Sequence, residues 1–245
     1  MGAPVDFYSA TQSINFYSRP EDLQTNAVLY LGMDTGFSDY TLRHIVSTIG
    51  SMVIDTVDYV LNGGSGSFNG TDAYISIPDS NDFNILTGDE VTIDFNFLLT
   101  DDSGQRCYFF HPGVGSEFQA ITTLNAGTPF SVGNIFFLSR NSLGGQVQLS
   151  ASTGPFVPDT WYNLRFTKAS NRECTFYLGG VKLNSDTLNS LVLGQSAWPN
   201  MSGDINIGRW TIDSPNLLSG NIDEFAFLRT VRVPGGQPIN FYSLP

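Results

Sequence analysis

Side chains suited to catalysis are few in this sequence and follow no familiar catalytic pattern. His44 and His111 are the two histidines, and neither lies in a His-Glu-x-x-His, nucleophile-elbow or phosphate-loop setting. Glu90 and Asp94 share one face of a predicted strand, but retaining glycoside hydrolysis needs two carboxyl groups about 5 Å apart, and no second glutamate accompanies them. We therefore expect these two carboxylates to face solvent, and the sequence predicts no enzyme.

Aromatic side chains that could stack on a sugar ring are a second candidate group. Sugar sites combine exposed aromatic rings with Asn and Asp side chains in loops or on a concave surface. The candidate ligand-binding residues are Tyr108, Trp198 and Trp210. Each of the three is as compatible with a place in the core or in an interface, so the sequence leaves these roles open.

The composition describes an acidic chain with enough apolar residues to fill a two-sheet interior. Of 245 residues, 41 % are hydrophobic, and 23 acidic residues against 11 basic ones give a formal charge of -12. This charge repels phosphate backbones and anionic headgroups, so we expect neither nucleic acid nor a membrane as a partner. It suits either a solvated acidic surface or sites for hard cations.

The two cysteines and the N-terminal residues bear on the cellular compartment. Cys107 and Cys174 are too few for a disulfide framework or a zinc site, so we expect reduced, buried thiols, although one disulfide would be possible if their Cα atoms came within about 7 Å. The first residues lack the basic region and apolar core of a signal peptide, and no run reaches the ~18 apolar residues of a membrane span. We expect synthesis in a cytoplasm.

Strand patterns dominate the chain after its first 26 residues. The segment from Thr92 to Phe97 alternates, with Ile93, Phe95 and Phe97 on one face and polar residues on the other, which is typical of a sheet with one buried face. A window from Leu42 to Ile54 has weak helical spacing and is equally compatible with an extended segment. Hairpins are predicted at residues 101–104 and 144–145. The predicted strands are Ala27 to Leu31, Ala73 to Ile77, Val91 to Leu98, Cys107 to His111, Asn134 to Ser139, Gln146 to Ala151, Trp161 to Lys168, Glu173 to Leu178, Asp204 to Ile207 and Asn221 to Arg229.

A short aromatic pattern recurs at both ends of the chain. Residues 5–9, 14–18 and 239–243 share the form (Val/Ile)-(Asp/Asn)-Phe-Tyr-Ser, which is too short for a solenoid repeat. Chance in a Phe- and Tyr-rich sequence is one explanation, and a pair of arms that dock on neighbouring subunits or on the body is the other. The candidate interface residues are Phe7, Tyr8, Phe16, Tyr17, Phe241 and Tyr242.

The order of motifs resembles the laminin-G-like branch of the concanavalin A-like lectin/glucanase superfamily, of the kind found in bacteriophage structural proteins. The segments that carry the resemblance are residues 28–34, 66–78 (with Phe68-Asn69-Gly70-Thr71), 86–97, 159–166 (with Trp161-Tyr162), 176–181 and 205–225. The resemblance implies an all-β, two-sheet antiparallel jelly-roll sandwich over residues 27–234, with arms at 1–26 and 235–245. It also implies a structural Ca²⁺ with Asp223 as the leading ligand and Asp34 as the second, loop carbonyls supplying the remaining oxygens. The E-x-D-x-x-E run of the glycosidases in this superfamily does not occur here.

Three functions fit these features. The first is a non-enzymatic virion module, such as a capsid decoration, fibre or tail-associated protein, whose partners are other virion proteins or copies of itself. This hypothesis is favoured by the terminal arms, by low charge density and by the resemblance to phage modules. The second is a lectin-like adhesin domain that binds a glycan, and the third and weakest is a glycoside hydrolase.

Overall fold

The computed structural model of the chain describes residues 26–100, 105–124, 133–154, 156–210 and 217–233. Apart from Asn26, both predicted arms lie outside these residues, together with all six interface candidates, Phe7, Tyr8, Phe16, Tyr17, Phe241 and Tyr242. The boundaries proposed between arms and body therefore stay a prediction. In the described part, no helix is long and apolar enough to span a membrane.

Strands account for almost all regular structure in the described residues, with one short 3-10 helix at Asn81–Phe83. The strands are β1 Ala27–Leu31, β2 Ser47–Ile49, β3 Val53–Asp55, β4 Ser65–Asn69, β5 Tyr74–Ile77, β6 Val91–Leu99, β7 Gln105–Pro112, β8 Phe118–Leu124, β9 Asn134–Arg140, β10 Gln146–Ser152, β11 Trp161–Lys168, β12 Glu173–Leu178, β13 Val181–Thr187, β14 Leu191–Val192, β15 Gln195–Ser196, β16 Ile205–Ile207 and β17 Ser219–Leu228.

The strands form two large antiparallel sheets. An eight-stranded back sheet has the order β13-β12-β11-β6-β17-β4-β3, with β1 also paired to β17. A seven-stranded front sheet has the order β10-β9-β8-β7-β16-β5-β2. Sequence neighbours β6 and β7 lie in different sheets, as do β16 and β17, so the chain passes repeatedly from one layer to the other. This arrangement confirms the predicted all-β, two-sheet antiparallel sandwich.

Aromatic side chains from both sheets fill the space between the layers. Ile93, Phe95 and Phe97 of β6 are completely buried, as the alternation in the sequence predicts. Phe137 of the front sheet stacks on Phe166 of the back sheet, with ring centroids 4.3 Å apart. Each buried side chain of this size contributes about 1.5–3 kcal/mol of hydrophobic free energy, so the layers are joined mainly by these rings.

The local predictions had mixed outcomes. The hairpin at residues 144–145 is confirmed, since β9 and β10 pair directly and Gly144 has a φ of 82°. The hairpin at 101–104 is wrong, because β6 and β7 belong to different sheets. The window from Leu42 to Ile54 takes its extended alternative and forms β2 and β3.

Both cysteines are free and buried, as predicted. Burial raises the pKa of each thiol above its ordinary value. Such thiols are poor nucleophiles and poor metal ligands, so they act as small core side chains.

Candidate functional site

The side chains that could bind a ligand or a metal ion lie on two surfaces of the sandwich. We call the outer surface of the back sheet the back face and the outer surface of the front sheet the front face. The back face holds the predicted calcium ligands, and the front face holds one of the predicted aromatic platforms.

Asp223 lies on the back face beneath the loop that joins β3 to β4. The strand pairing shifts between Asp223 and Ala226, and Glu224 takes a φ of 55°, so a β-bulge interrupts β17 here. The Asp223 side chain is completely buried. Its Oδ2 accepts hydrogen bonds from the backbone N–H groups of Val60 (2.8 Å) and Leu61 (3.0 Å), which fix the loop on the sheet.

The charge of Asp223 is only partly compensated. Burial raises its pKa to about 7 and the nearby Asp34 adds to that rise, whereas the backbone N–H groups of Leu61, Val60 and Glu224 oppose it. Its Oδ1 is buried and has no hydrogen-bond partner among the described residues. A buried acceptor left without a partner is costly, so this oxygen is suited to a donor or a cation.

The Asp34 carboxylate raises the pKa of Asp223, and the β3–β4 loop contacts both residues, through Val60 and Leu61 at Asp223 and through Gly64 at Asp34. A Cβ at Gly64 would lie 2.2 Å from the Asp34 carbonyl oxygen, so only glycine permits this approach of the backbone. The described residues contain no group of three or more His, Cys, Asp or Glu side chains placed to hold a metal. Calcium there would need main-chain and loop oxygens for most of its six to eight ligands. The unpartnered Oδ1 of Asp223 and the neighbouring Asp34 carboxylate are ligands of the kind that a hard cation prefers, and calcium stays a prediction.

The front face carries an aromatic cluster at its centre. The half-buried Trp210 ring packs on Phe110 and Phe118, with centroids 5.0 and 4.9 Å away. Phe110 and Phe118 also stack on each other at 5.8 Å. Leu138 packs at the edge of the cluster. Trp210 therefore rests on a fixed aromatic base that holds its ring in place.

A glycine turns two successive side chains onto the front face. Gly208 has a φ of 85°, and a Cβ there would lie 2.4 Å from the Phe68 ring, so a larger residue does not fit. Immediately after it, Arg209 lies over the ring of Tyr74, 4.5 Å from the centroid, and Trp210 reaches the aromatic cluster. Tyr74 precedes the buried Ile75 on β5, so its ring belongs to the outer surface.

A second arginine and several amides border the same cluster. Arg140 of β9 pairs across the sheet with Phe118, and these residues lie on the outer side because their neighbours in the strands point inward. Gln146 and Gln148 of β10 are exposed on that side. The front face thus combines aromatic rings, guanidinium groups and amides, which is the set of groups that polar ring-shaped ligands require.

A family profile described as "Concanavalin A-like lectin/glucanases superfamily" matches residues 69–234, more than half of the chain. The chain belongs to this superfamily. The predicted superfamily and the predicted jelly-roll class are confirmed, and the resemblance to bacteriophage structural proteins stays a prediction. No curated protein matches this concanavalin A-like chain in sequence.

Solved structures show the same fold at low sequence identity. The binding domain of Paraclostridial Mosquitocidal Protein 1 is 15 % identical with a TM-score of 0.66, covering 86 % of this chain and 50 % of that one. The botulinum neurotoxin serotype D ligand-binding domain in complex with N-acetylneuraminic acid is 13 % identical with a TM-score of 0.63, covering 84 % and 48 %. Domain 4 of the Geobacillus stearothermophilus arabinanase AbnA, in complex with arabinotriose, is 16 % identical with a TM-score of 0.60, covering 85 % and 95 %. This chain therefore spans about half the length of the toxin domains.

Two of the three predicted platforms of this concanavalin A-like domain are core residues. Tyr108 is completely buried, because a bulge between Cys107 and Phe109 turns it inward, and its ring packs on Phe97 at 4.8 Å. Trp198 is 2 % exposed and donates its indole N–H to the Asn189 carbonyl at 3.0 Å. A buried ring offers no face to a sugar, so the structure corrects these two assignments to core positions and leaves Trp210 as the candidate.

The expectation of solvent-facing acids holds for only one of the two residues. Glu90 is exposed, but Asp94 is 8 % exposed and accepts hydrogen bonds from Arg165 Nε at 2.9 Å and Asn163 Nδ2 at 3.0 Å. Asp94 is therefore committed to a buried ion pair on the back face. Sequence spacing placed it on the outer surface but could not show its partner.

The two histidines lie apart from both surfaces. His111 is completely buried and faces Asp79, with Nε2 3.0 Å from Oδ1. Burial holds its pKa below the ordinary value, and the Asp79 carboxylate partly opposes that effect. His44 stacks on Phe83 at 4.3 Å and lies 3.3 Å from Asp82. Neither arrangement places a nucleophile beside the imidazole.

Proposed function

We propose that this chain is a non-catalytic, lectin-like binding domain that holds a glycan on its front face. The observation that carries the proposal is Trp210, half-buried on its base of Phe110 and Phe118 and bordered by polar side chains. Sugars present apolar C–H faces as well as hydroxyl groups, so an immobilised ring beside amides and guanidinium groups suits them.

The arrangement of acids supports binding without catalysis. A retaining glycosidase needs two free carboxyl groups about 5 Å apart at the sugar. Asp94 is held by Arg165, and Asp223 is covered by the β3–β4 loop. The Trp210 ring packs on Phe110 and Phe118, and the guanidinium and amide groups of Arg209, Gln146 and Gln148 lie on the same face.

The comparisons support the same class of function. The matching profile describes lectins and glucanases, and two similar folds were solved with N-acetylneuraminic acid and with arabinotriose. At 13 % and 16 % identity these proteins share the fold, so the ligand of this chain has to be argued from its own residues.

A glycan array followed by calorimetry tests the proposal. Trp210→Ala removes the ring and should weaken binding by about thirtyfold or more, as expected when a central aromatic anchor is truncated. Trp161→Ala, which removes another half-buried tryptophan from the back sheet, is the matched control and should leave affinity unchanged. Absence of any glycan signal from the intact folded chain, or equal affinity of the Trp210→Ala variant, would contradict the proposal.

We propose that a structural calcium ion binds between Asp223 and Asp34. The free Oδ1 of Asp223, its raised pKa and the neighbouring acid support a cation there. A cation would supply positive charge where the described residues supply backbone N–H groups, and it would hold the β3–β4 loop on the back face.

A second candidate function is assembly into a virion through the terminal arms, with synthesis in the host cytoplasm. It is favoured by the repeated (Val/Ile)-(Asp/Asn)-Phe-Tyr-Ser pattern at residues 5–9, 14–18 and 239–243. Deletion of residues 1–26 should abolish incorporation into particles while the body keeps its melting temperature. Unchanged incorporation of the truncated chain would refute the arm hypothesis without affecting the glycan proposal.

A further inference from the structure

We propose that the front face selects glycans that carry a carboxylate, and that Arg140 and Arg209 bind the acid on either side of Trp210. This inference rests on the proposed glycan-binding function and names the chemical class of its ligand. The class comprises sugars with an exocyclic carboxyl group, such as sialic and uronic acids.

The first observation is that these two guanidinium groups have no carboxylate partner in the described part of the chain. Arg165, Arg229 and Arg43 form ion pairs with Asp94, Asp89 and Asp82 respectively. No ion pair joins Arg140 or Arg209 to a described acid, although acidic residues outnumber basic ones 23 to 11. Two unpaired arginines on one surface of such a chain point to an anion that comes from outside.

The second observation is that each of the two groups has an unsatisfied donor. The Nε atoms of Arg140 and Arg209 are buried, and neither donates a hydrogen bond to any described residue. A buried donor without an acceptor is costly, and a guanidinium satisfies two donors at once when it meets a carboxylate edge-on. A ligand carboxylate would recover that free energy, whereas a neutral hydroxyl would leave the charge uncompensated.

The third observation is the position of the two arginines relative to the platform. Arg209 is adjacent in sequence to Trp210, and its guanidinium carbon lies 4.5 Å from the centroid of the Tyr74 ring. Arg140 lies directly across the sheet from Phe118, whose ring contacts Trp210 at 4.9 Å. The strand order places Arg140 on the β9 side of the platform and Arg209 toward β5. The Arg140 guanidinium lies beside Gly144 in the β9–β10 turn, where an added Cβ would be 3.4 Å away. A sugar stacked on Trp210 would lie next to Arg209, and a glycan that extends from it toward the β9–β10 turn would meet Arg140.

The overall charge of the chain explains why the acid must be recognised locally. With a formal charge of -12, the protein repels anions at long range, and salt screens that repulsion. Recognition of an acidic sugar therefore depends on close, directional hydrogen bonds from the guanidinium groups. It should tolerate physiological salt, unlike binding that depends on a diffuse basic patch.

Calorimetry with paired ligands tests the inference. The probes are 3′-sialyllactose and a galacturonate trimer, each compared with its methyl ester, which keeps the shape and loses the charge. We expect the acid to bind at least about tenfold more tightly than its ester, as for a charge-assisted hydrogen bond. Heparin fragments, which are sulfated polyanions, are the control for binding that depends on negative charge alone.

Substitutions at the two arginines give the residue-level test. Arg209→Gln and Arg140→Gln should each reduce the preference for acid over ester, and Arg209→Lys should not restore it, because lysine lacks the planar fork. Lys182→Gln removes one positive charge from the exposed edge strand β13 of the back sheet and should change nothing. Thermal melting of every variant checks that the fold is intact.

The outcomes separate the two proposals. Trp210-dependent binding of a glycan with equal affinity for acid and ester, or an acid preference retained by both Gln variants, would overturn the carboxylate inference and leave the glycan-binding function standing. A salt-sensitive interaction with heparin alone would also overturn it. No binding to acid, ester or array glycans would remove the proposed function itself.

Discussion

The two outer faces of the sandwich differ in whether their charged side chains have partners within the protein. On the back face, Asp94 and Arg165 are 8 % and 6 % exposed and bind each other, with Asn163 as a further donor. On the front face, Arg140 and Arg209 have no carboxylate partner among the described residues and lie on the same surface as the half-buried Trp210. Both faces belong to sheets with the same kind of aromatic interior.

This difference separates architecture from function. Buried charges with internal partners hold a sheet in register. Removing one partner leaves the other as an uncompensated charge in a low-dielectric environment, which is strongly destabilising. Charges without internal partners contribute little to folding and are free to meet a ligand. The binding surface is therefore identified by which charges the fold leaves unpaired.

The largest expected effect is on the free energy of unfolding when an arginine is replaced on each face. Arg165→Met leaves Asp94 buried without its partner and should lower the free energy of unfolding by about 3–5 kcal/mol. Arg140→Met, the same change on the front face, should shift it by less than about 0.5 kcal/mol. Urea denaturation followed by tryptophan fluorescence measures both. Equal losses in the two variants would mean that the two faces do not differ in how they use charge.

The sandwich could be predicted because its interior follows simple alternation. Strands such as β6 and β11 place every second apolar side chain in the core, and their predicted and observed positions nearly coincide. Phe118–Leu124 was missed as a strand because its outer side also carries apolar residues that belong to the front-face cluster. Val181–Thr187 was missed because it is a largely exposed, polar edge strand.

The site could be predicted only in part, because its decisive features are tertiary. Trp210 was among the candidates, but Arg140 and Arg209 were not, since whether a guanidinium has an acid partner depends on strands far apart in sequence. Local irregularities also mattered, because the bulge beside Cys107 buries Tyr108, and Gly208 allows two successive residues to reach the front face. Glycines and bulges that break alternation would be the signal to look for in a new sequence.

Calcium tests Asp223, a back-face acid whose charge the described residues compensate only in part. Free calcium at about 100 times Kd should stabilise the chain by about 2.7 kcal/mol, or about 5–10 °C in Tm. Asp223→Asn keeps an oxygen for the Val60 and Leu61 N–H groups but removes the charge, so its Tm should no longer respond to calcium. Glu90→Gln, at an exposed acid, is the control and should respond like the unaltered chain. A Tm unaffected by calcium or chelator would exclude the site.

The smallest expected effect concerns the interior, where His111 meets Asp79. Burial holds the pKa of His111 below its ordinary value, so the unfolded chain takes up a proton as pH falls below about 6.5 while the folded chain does not. The free energy of unfolding should therefore decrease between about pH 7 and pH 5, and His111→Gln should flatten that part of the curve. Urea titrations at three pH values measure the slope. Because Asp79 favours the protonated ring, the change should be smaller than the loss caused by Arg165→Met, and parallel curves for both proteins would show that His111 contributes nothing to the pH dependence.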